Sequence, residues 1–221
     1  MKLKINTDLL SVILALTTVL VFVLLVTVTG KRQESRDLRL TFTDRETEII
    51  GSSDSIMRVL TTDVPEDSVF LRGTASELTR SDMASPLFSR LSRLMVATMA
   101  DSSMQGVGIA APQVGIAKRV VAVQRFDKDG EPVEVYPNLR IVSFSGEPVP
   151  GREGCLSIPG YYGVVKRYPR VVVSYSDTLS FETVSDTVSG FTAVIFQHEA
   201  DHLDGVLYID RADSVFVQRE I

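Results

Sequence analysis

His198 and His202 are the only two histidines of the 221 residues, and they stand four apart in His198-Glu199-Ala200-Asp201-His202. On a helix, positions i and i+4 share one face, so both imidazoles can reach a single metal ion. Glu199 lies beside such an ion, where a carboxylate can take and return the proton of an activated water. The surrounding Phe191, Val194, Ile195, Phe196 and Leu203 are those of a buried helix, not of a solvated polar stretch. Two histidines need a third ligand. Downstream there is no further His or Cys, and Asp204, Asp210, Asp213 and Glu220 have no supporting pattern. Upstream stands the only cysteine, within Glu153-Gly154-Cys155-Leu156-Ser157. A lone cysteine is ordinarily an inert buried thiol, but here the histidine pair lacks a ligand without it. One thiolate, two imidazoles and an open position make a tetrahedral site suited to catalysis. That donor set takes Zn(2+) or Fe(2+) alike.

A third constellation is Gly106-Val107-Gly108-Ile109-Ala110-Ala111-Pro112-Gln113-Val114-Gly115. A phosphate-binding loop would need Lys-Ser/Thr after the glycines and a helix opening where Pro112 sits. Neither is present. The run reads as a tight small-residue loop that projects the amide of Gln113, a donor suited to an oxyanion hole.

Several elements must position these groups. The spacing predicts a helix from Gly190 to Asp204, stopped by Gly205. A longer helix starts at Ser85 with Pro86 at its first position, burying Leu87, Leu91, Leu94 and Met95 on one face. Residues 119–125, 133–136, 139–144 and 170–176 read as strands, with a turn at Asp127-Lys128-Asp129-Gly130. Strands followed by one helix, without βαβ alternation, indicate an α+β fold.

The rest of the chain sets limits. Net charge is −5, Trp is absent, and there are no basic clusters, so nucleic-acid binding is not expected. One cysteine excludes an intramolecular disulfide. Residues 9–29 carry no charged side chain and are bracketed by Lys2 and Lys4 before and Lys31 and Arg32 after. As a helix they would span about 32 Å, which predicts an N-terminal transmembrane anchor, or an uncleaved signal, within residues 1–30. A cleaved signal is the alternative, and basic residues on both flanks leave the side of the membrane open. Residues 31–54 read as a charged juxtamembrane linker holding a capping-box sequence at Thr43–Glu46. The catalytic domain is expected over 55–213, with a C-terminal tail at 214–221.

GVGIAAPQ at 106–113, EGCLS at 153–157 and QHEADHLDG at 197–205 together resemble the peptide deformylase family, in that family's order and with no motif position broken. The similarity runs from about Ile56 to Arg211. It implies antiparallel sheets packed around a central helix that carries the two histidines. It also implies a reaction, hydrolysis of the N-formyl group from formyl-methionine at the start of new polypeptides, with release of formate. By position, Cys155, His198 and His202 would hold the metal, and Glu199 would be the general acid/base. Gln113 and the backbone N–H of Leu156 would hold the oxyanion. Val107, Val194 and Ile195 would form the methionine pocket, with Gly108 near the substrate backbone. The alternatives are a membrane-anchored metallopeptidase and a non-catalytic module that binds formylated peptides. Two departures from the family pattern stand out, Tyr136-Pro137-Asn138 before the cysteine motif and Gly160-Tyr161-Tyr162-Gly163 after it. Both are expected to affect the grip on substrate rather than the chemistry.

Overall fold

A computed structural model describes residues 16–27, 40–101 and 106–217. It divides into two units, residues 1–40 and 41–221. In the first, residues 16–27 form an exposed helix. No helix among the described residues is long and apolar enough to cross a membrane. The remainder of the span expected over 9–29 lies outside the described residues.

The second unit begins earlier than the sequence reading places it. Thr41 binds Asp82 through its backbone N–H (2.6 Å) and its hydroxyl (2.7 Å). Helix α1 (Asp44–Ser52) follows, opened by the expected capping box between Thr43 and Glu46. Glu46 is buried and also accepts the backbone N–H of Ala117 at 2.8 Å, while Ile50 has no exposed surface. The linker expected through residue 54 is therefore folded from Thr41 onward. Helices α2 (Pro65–Leu71), α3 (Arg80–Met83) and α4 (Pro86–Ala100) come next. In α4, Ser85 caps the N-terminus by accepting the N–H of Phe88, and Pro86 takes the first turn, where its missing N–H costs nothing. Its buried face comprises Phe88, Leu91, Leu94, Met95, Thr98 and Met99.

Among the described residues, nine strands make three antiparallel sheets. The first is β1 (Gly108–Ala110), β2 (Val120–Gln124) and β3 (Val133–Pro137). The second is β4 (Arg140–Ser145), β7 (Arg170–Ser176) and β8 (Thr183–Ser189). The third is β5 (Val149–Cys155), β6 (Ile158–Arg167) and β9 (Ser214–Val217), so the expected C-terminal tail begins with a paired strand. Side chains alternate across β2, and both of its faces are covered. Val120 and Ala122 join the core beneath α4, whereas Val121 and Val123 join the core around α5 (Phe191–Leu203). That double burial is why β2 reads as a nearly continuous apolar run. Around α5, Ala193, Phe196, Ala200 and Leu203 pack with Tyr136, Val171, Val173 and Val188 of the first two sheets. The architecture is α+β, with antiparallel sheets about a central helix.

Helix α5 stops at Gly205, whose φ of 73° lies in the left-handed region. A Cβ there would come within 2.4 Å of the Arg72 carbonyl oxygen, so backbone packing also requires glycine.

Candidate active site

Helix α5 presents His198, Glu199 and His202 toward the turn between β5 and β6, where Cys155 ends β5. Ligand-type atoms of Cys155, His198 and His202 lie within 4.8 Å of one another, and Cys155 Sγ is 3.2 Å from His202 Nε2. Bonds of about 2.0–2.3 Å to a tetrahedral ion would place such donors roughly 3.5 Å apart, so the cluster fits one metal ion. The second nitrogen of His198 supports the same fit. His198 Nδ1 lies 2.9 Å from Glu153 Oε2, which leaves its Nε2 for the metal. The rival carboxylates are engaged elsewhere: Asp204 with Arg119, Asp210 with Arg72, and Asp213 with Lys166. Glu220 lies outside the described residues.

Burial opposes protonation of His198, but the Cys155 and Glu153 side chains beside it raise its pKa well above the usual imidazole value. Burial and the neighbouring His198 lower that of His202. Burial would likewise raise Glu153, yet its hydrogen bonds with His198 and Arg167 hold it at about 2.

Glu199 sits beside the triad and is only 4 % exposed. Its Oε2 has no hydrogen-bond partner among the described residues. Burial, the largest effect, pushes this carboxyl up to about 7. Gly108 makes room for it: a Cβ there would meet Glu199 Oε1 at 2.4 Å and Ile195 Cγ2 at 2.7 Å. Gln113 lies in a short 3₁₀ turn, Ala111–Val114. Its Oε1 accepts the Ala110 N–H at 2.8 Å, which orients Nε2 toward Ser157 Oγ (3.2 Å) and Cys155 Sγ (3.5 Å). The amide donor therefore points toward Cys155, at the Cys155–His198–His202 cluster.

A cleft of about 600 Å³ opens over these groups. Val107, Gly108, Gln113, Cys155, Leu156, Val194, Ile195, His198 and Glu199 all border it, and His202 lies buried behind. Every site residue expected from sequence is thus brought to one place. Tyr136 is not. It is 2 % exposed and packs edge-on against Phe196 and Tyr175 in the core, with its hydroxyl on Arg125 and Glu134. Asn138 adopts a φ of 57° and exchanges hydrogen bonds with the backbone of Leu78. This departure from the family pattern shapes the core rather than the cleft.

Residues 57–217 match the family model for polypeptide deformylase. The chain belongs to the peptide deformylase family. Hydrolytic removal of the N-formyl group from new polypeptides, a metal-dependent reaction, is the activity that membership assigns. A peptide deformylase of Desulforudis audaxviator is 42 % identical over 135 residues, which cover 61 % of this chain and 84 % of that protein. One from Natranaerobius thermophilus is 37 % identical over 75 % of this chain and 98 % of its own length. Among solved structures, a class I type b peptide deformylase from Acinetobacter baumannii aligns with a TM-score of 0.64 at 37 % identity. That alignment covers 72 % of this chain and all of the other. The Acinetobacter enzyme is also known bound to Met-Ala-Ser, in a structure with a TM-score of 0.62 to this one.

Sequence reasoning missed the groups behind the ligands. Arg167 donates to Glu153 through Nε (2.8 Å) and Nη2 (3.0 Å), and to Asp201 Oδ2 through Nη1 (2.7 Å). Arg211 clamps the two oxygens of Asp201 at 2.6 and 2.7 Å. The available signal was Asp201, a buried-helix carboxylate one turn beyond His198 that needs a cationic partner.

Proposed function

We propose that Cys155, His198 and His202 hold one divalent ion, Fe(2+) or Zn(2+), and that Glu199, Gln113 and Leu156 carry out deformylation of a formyl-methionyl peptide. The observation that carries this reading is the buried Glu199 carboxyl with an unpartnered oxygen, beside the Cys155–His198–His202 cluster and bordering the cleft. When bound, the ion supplies Lewis acidity and lowers the pKa of a coordinated water toward about 7. Glu199 accepts the proton of the attacking water as its oxygen adds to the formyl carbon. The same group must then protonate the departing amine, and its place on the cleft wall beside the three side chains keeps it within reach of both. Gln113 Nε2 and the Leu156 N–H stabilise the tetrahedral oxyanion. Val107, Val194 and Ile195 receive the methionine side chain, and the absence of a side chain at Gly108 lets the substrate approach Glu199. Met-Ala-Ser bound to the Acinetobacter relative supports a peptide in this cleft.

The test is formate release from formyl-Met-Ala-Ser by the full chain loaded anaerobically with ferrous iron. Release is expected, and Glu199→Gln should keep the metal and lose turnover. No release from the metal-loaded protein, or undiminished release from the variant, would overturn the assignment.

We also propose that residues 9–29 tether the domain to a membrane. The support is their uncharged length and the basic flanks at Lys2, Lys4, Lys31 and Arg32. Membrane fractionation, with a topology reporter fused after Ile221, reads both attachment and side. Recovery in the soluble fraction would refute it.

A further inference from the structure

Arg152 borders the same cleft and is exposed. It is the only Lys or Arg among the described residues that border it. On the β5–β6 ladder Arg152 pairs with Val164 and Gly154 with Tyr162, so Arg152 and Tyr162 are diagonal neighbours on one sheet face. The Arg152 guanidinium carbon lies 3.5 Å from the centre of the Tyr162 ring, within the range of a cation–π contact. Tyr162 is backed in turn by Phe216 of β9, with ring centres 5.3 Å apart and planes at 22°. This three-layer stack fixes the guanidinium by its flat face and leaves its N–H edge free. The neighbouring cations on β6 are neutralised, Lys166 by Asp213 and Arg167 by Glu153 and Asp201. Arg152 has no carboxylate at ion-pair distance among the described residues. A stacked guanidinium with a free edge is built to accept a planar carboxylate.

We propose that Arg152 is a specificity-determining residue that takes a carboxylate on the peptide downstream of formyl-methionine, so that acidic substrates are favoured. The inference rests on the deformylase reading of the cleft. The carboxylate has two possible sources, an acidic side chain or the C-terminus of a short peptide. Four substrates separate them: formyl-Met-Ala-Glu-amide, formyl-Met-Ala-Gln-amide, formyl-Met-Ala-Lys-amide and formyl-Met-Ala-Gln with a free C-terminus. Values of kcat/KM are measured on the full chain in mild detergent, at low and high salt. The Glu peptide should exceed the Lys peptide by about three- to fivefold, the reach of a solvent-open ion pair, and the preference should fade at high salt. Arg152→Glu should invert that ratio, and Arg152→Lys should retain its direction. An advantage of Glu over Gln amides assigns the side-chain source, and an advantage of the free acid over its amide assigns the terminus. Equal rates across all four peptides, or a ratio indifferent to Arg152→Glu, would overturn the proposal. Absence of formate from the neutral Gln amide would instead overturn the deformylase reading beneath it.

Discussion

His198 Nδ1 and Glu153 Oε2 lie 2.9 Å apart, joining the residue two before the cysteine to the first histidine of the helix. Because Arg167 holds Glu153 by two further hydrogen bonds, the carboxylate is fixed by the protein itself. It sets the tautomer and the ring plane of His198, and it makes the opposite nitrogen more basic. Glu153→Gln is expected to weaken metal affinity by about 10- to 100-fold, the usual cost of losing such a support. Competition with a chelator measures it, and wild-type affinity would show that Glu153 does not position the ligand.

The space above Glu199 is reserved by one missing methyl group. Gly108→Ala places a carbon within 2.4 Å of Glu199 Oε1, so the carboxylate must swing out of its site. The variant should bind metal normally and lose at least about 10²-fold in kcat, since misplacement by about 1 Å costs that much. Formate release, with metal content measured in parallel, tests this.

Gln113 is held by Ala110 and aims its donor at the cluster, so its removal should leave the fold intact and slow the chemistry. Gln113→Leu is expected to cost about 10²–10³ in kcat, as for other oxyanion donors. An effect confined to KM would place Gln113 in binding alone.

Acid sensitivity should trace in part to Asp82. Burial would raise its pKa, but hydrogen bonds from the hydroxyls and backbone N–H groups of Thr41 and Thr79 outweigh burial and hold it below the usual carboxylate value. A depressed pKa contributes stability that is present above about pH 4, the unfolded value, and lost as pH falls through the folded value. Asp82→Asn should lower stability at pH 7 by about 1.5–3 kcal/mol, the worth of charge-assisted bonds, and flatten its dependence on pH below 4. Denaturant melts of both proteins between pH 2 and 7 give the comparison. Parallel pH curves would remove Asp82 from this role.

What could be read from sequence follows physical lines. Helix α5 and strands β2, β3, β4 and β7 were legible because burial imposes a period on their apolar residues. The hairpin of β5 and β6 was not, since Pro150, Gly151, Gly154, Pro159, Gly160 and Gly163 interrupt any alternation, and cross-strand pairing alone defines it. Strand β8, TVSDTVS, is mostly polar and is fixed by its partner β7. In the linker expected over 31–54 the capping box at Thr43–Glu46 was legible, but the packing from Thr41 onward was not, because charges dominate the segment and the burial of Glu46 against the Ala117 N–H has no sequence period. In the site, the meeting of Cys155, His198 and His202 with Glu199 beside them was legible because metal chemistry demands particular residue types at fixed spacing. Arg167 and Arg211 were not, because they reach Asp201 from distant strands and turns.

Cys155 and His202 meet across 47 residues of sequence, and only the packed fold brings them together. An unfolded chain has no comparable site, so an ion held there would favour the native state and act as a ligand of folding. At a free concentration 1,000 times the dissociation constant, one such ion adds about 4 kcal/mol to stability. That is comparable with the whole margin of many domains. Cellular metal supply would then set the lifetime of the polypeptide as well as its turnover, and a starved cell would lose the molecule to proteolysis along with its chemistry.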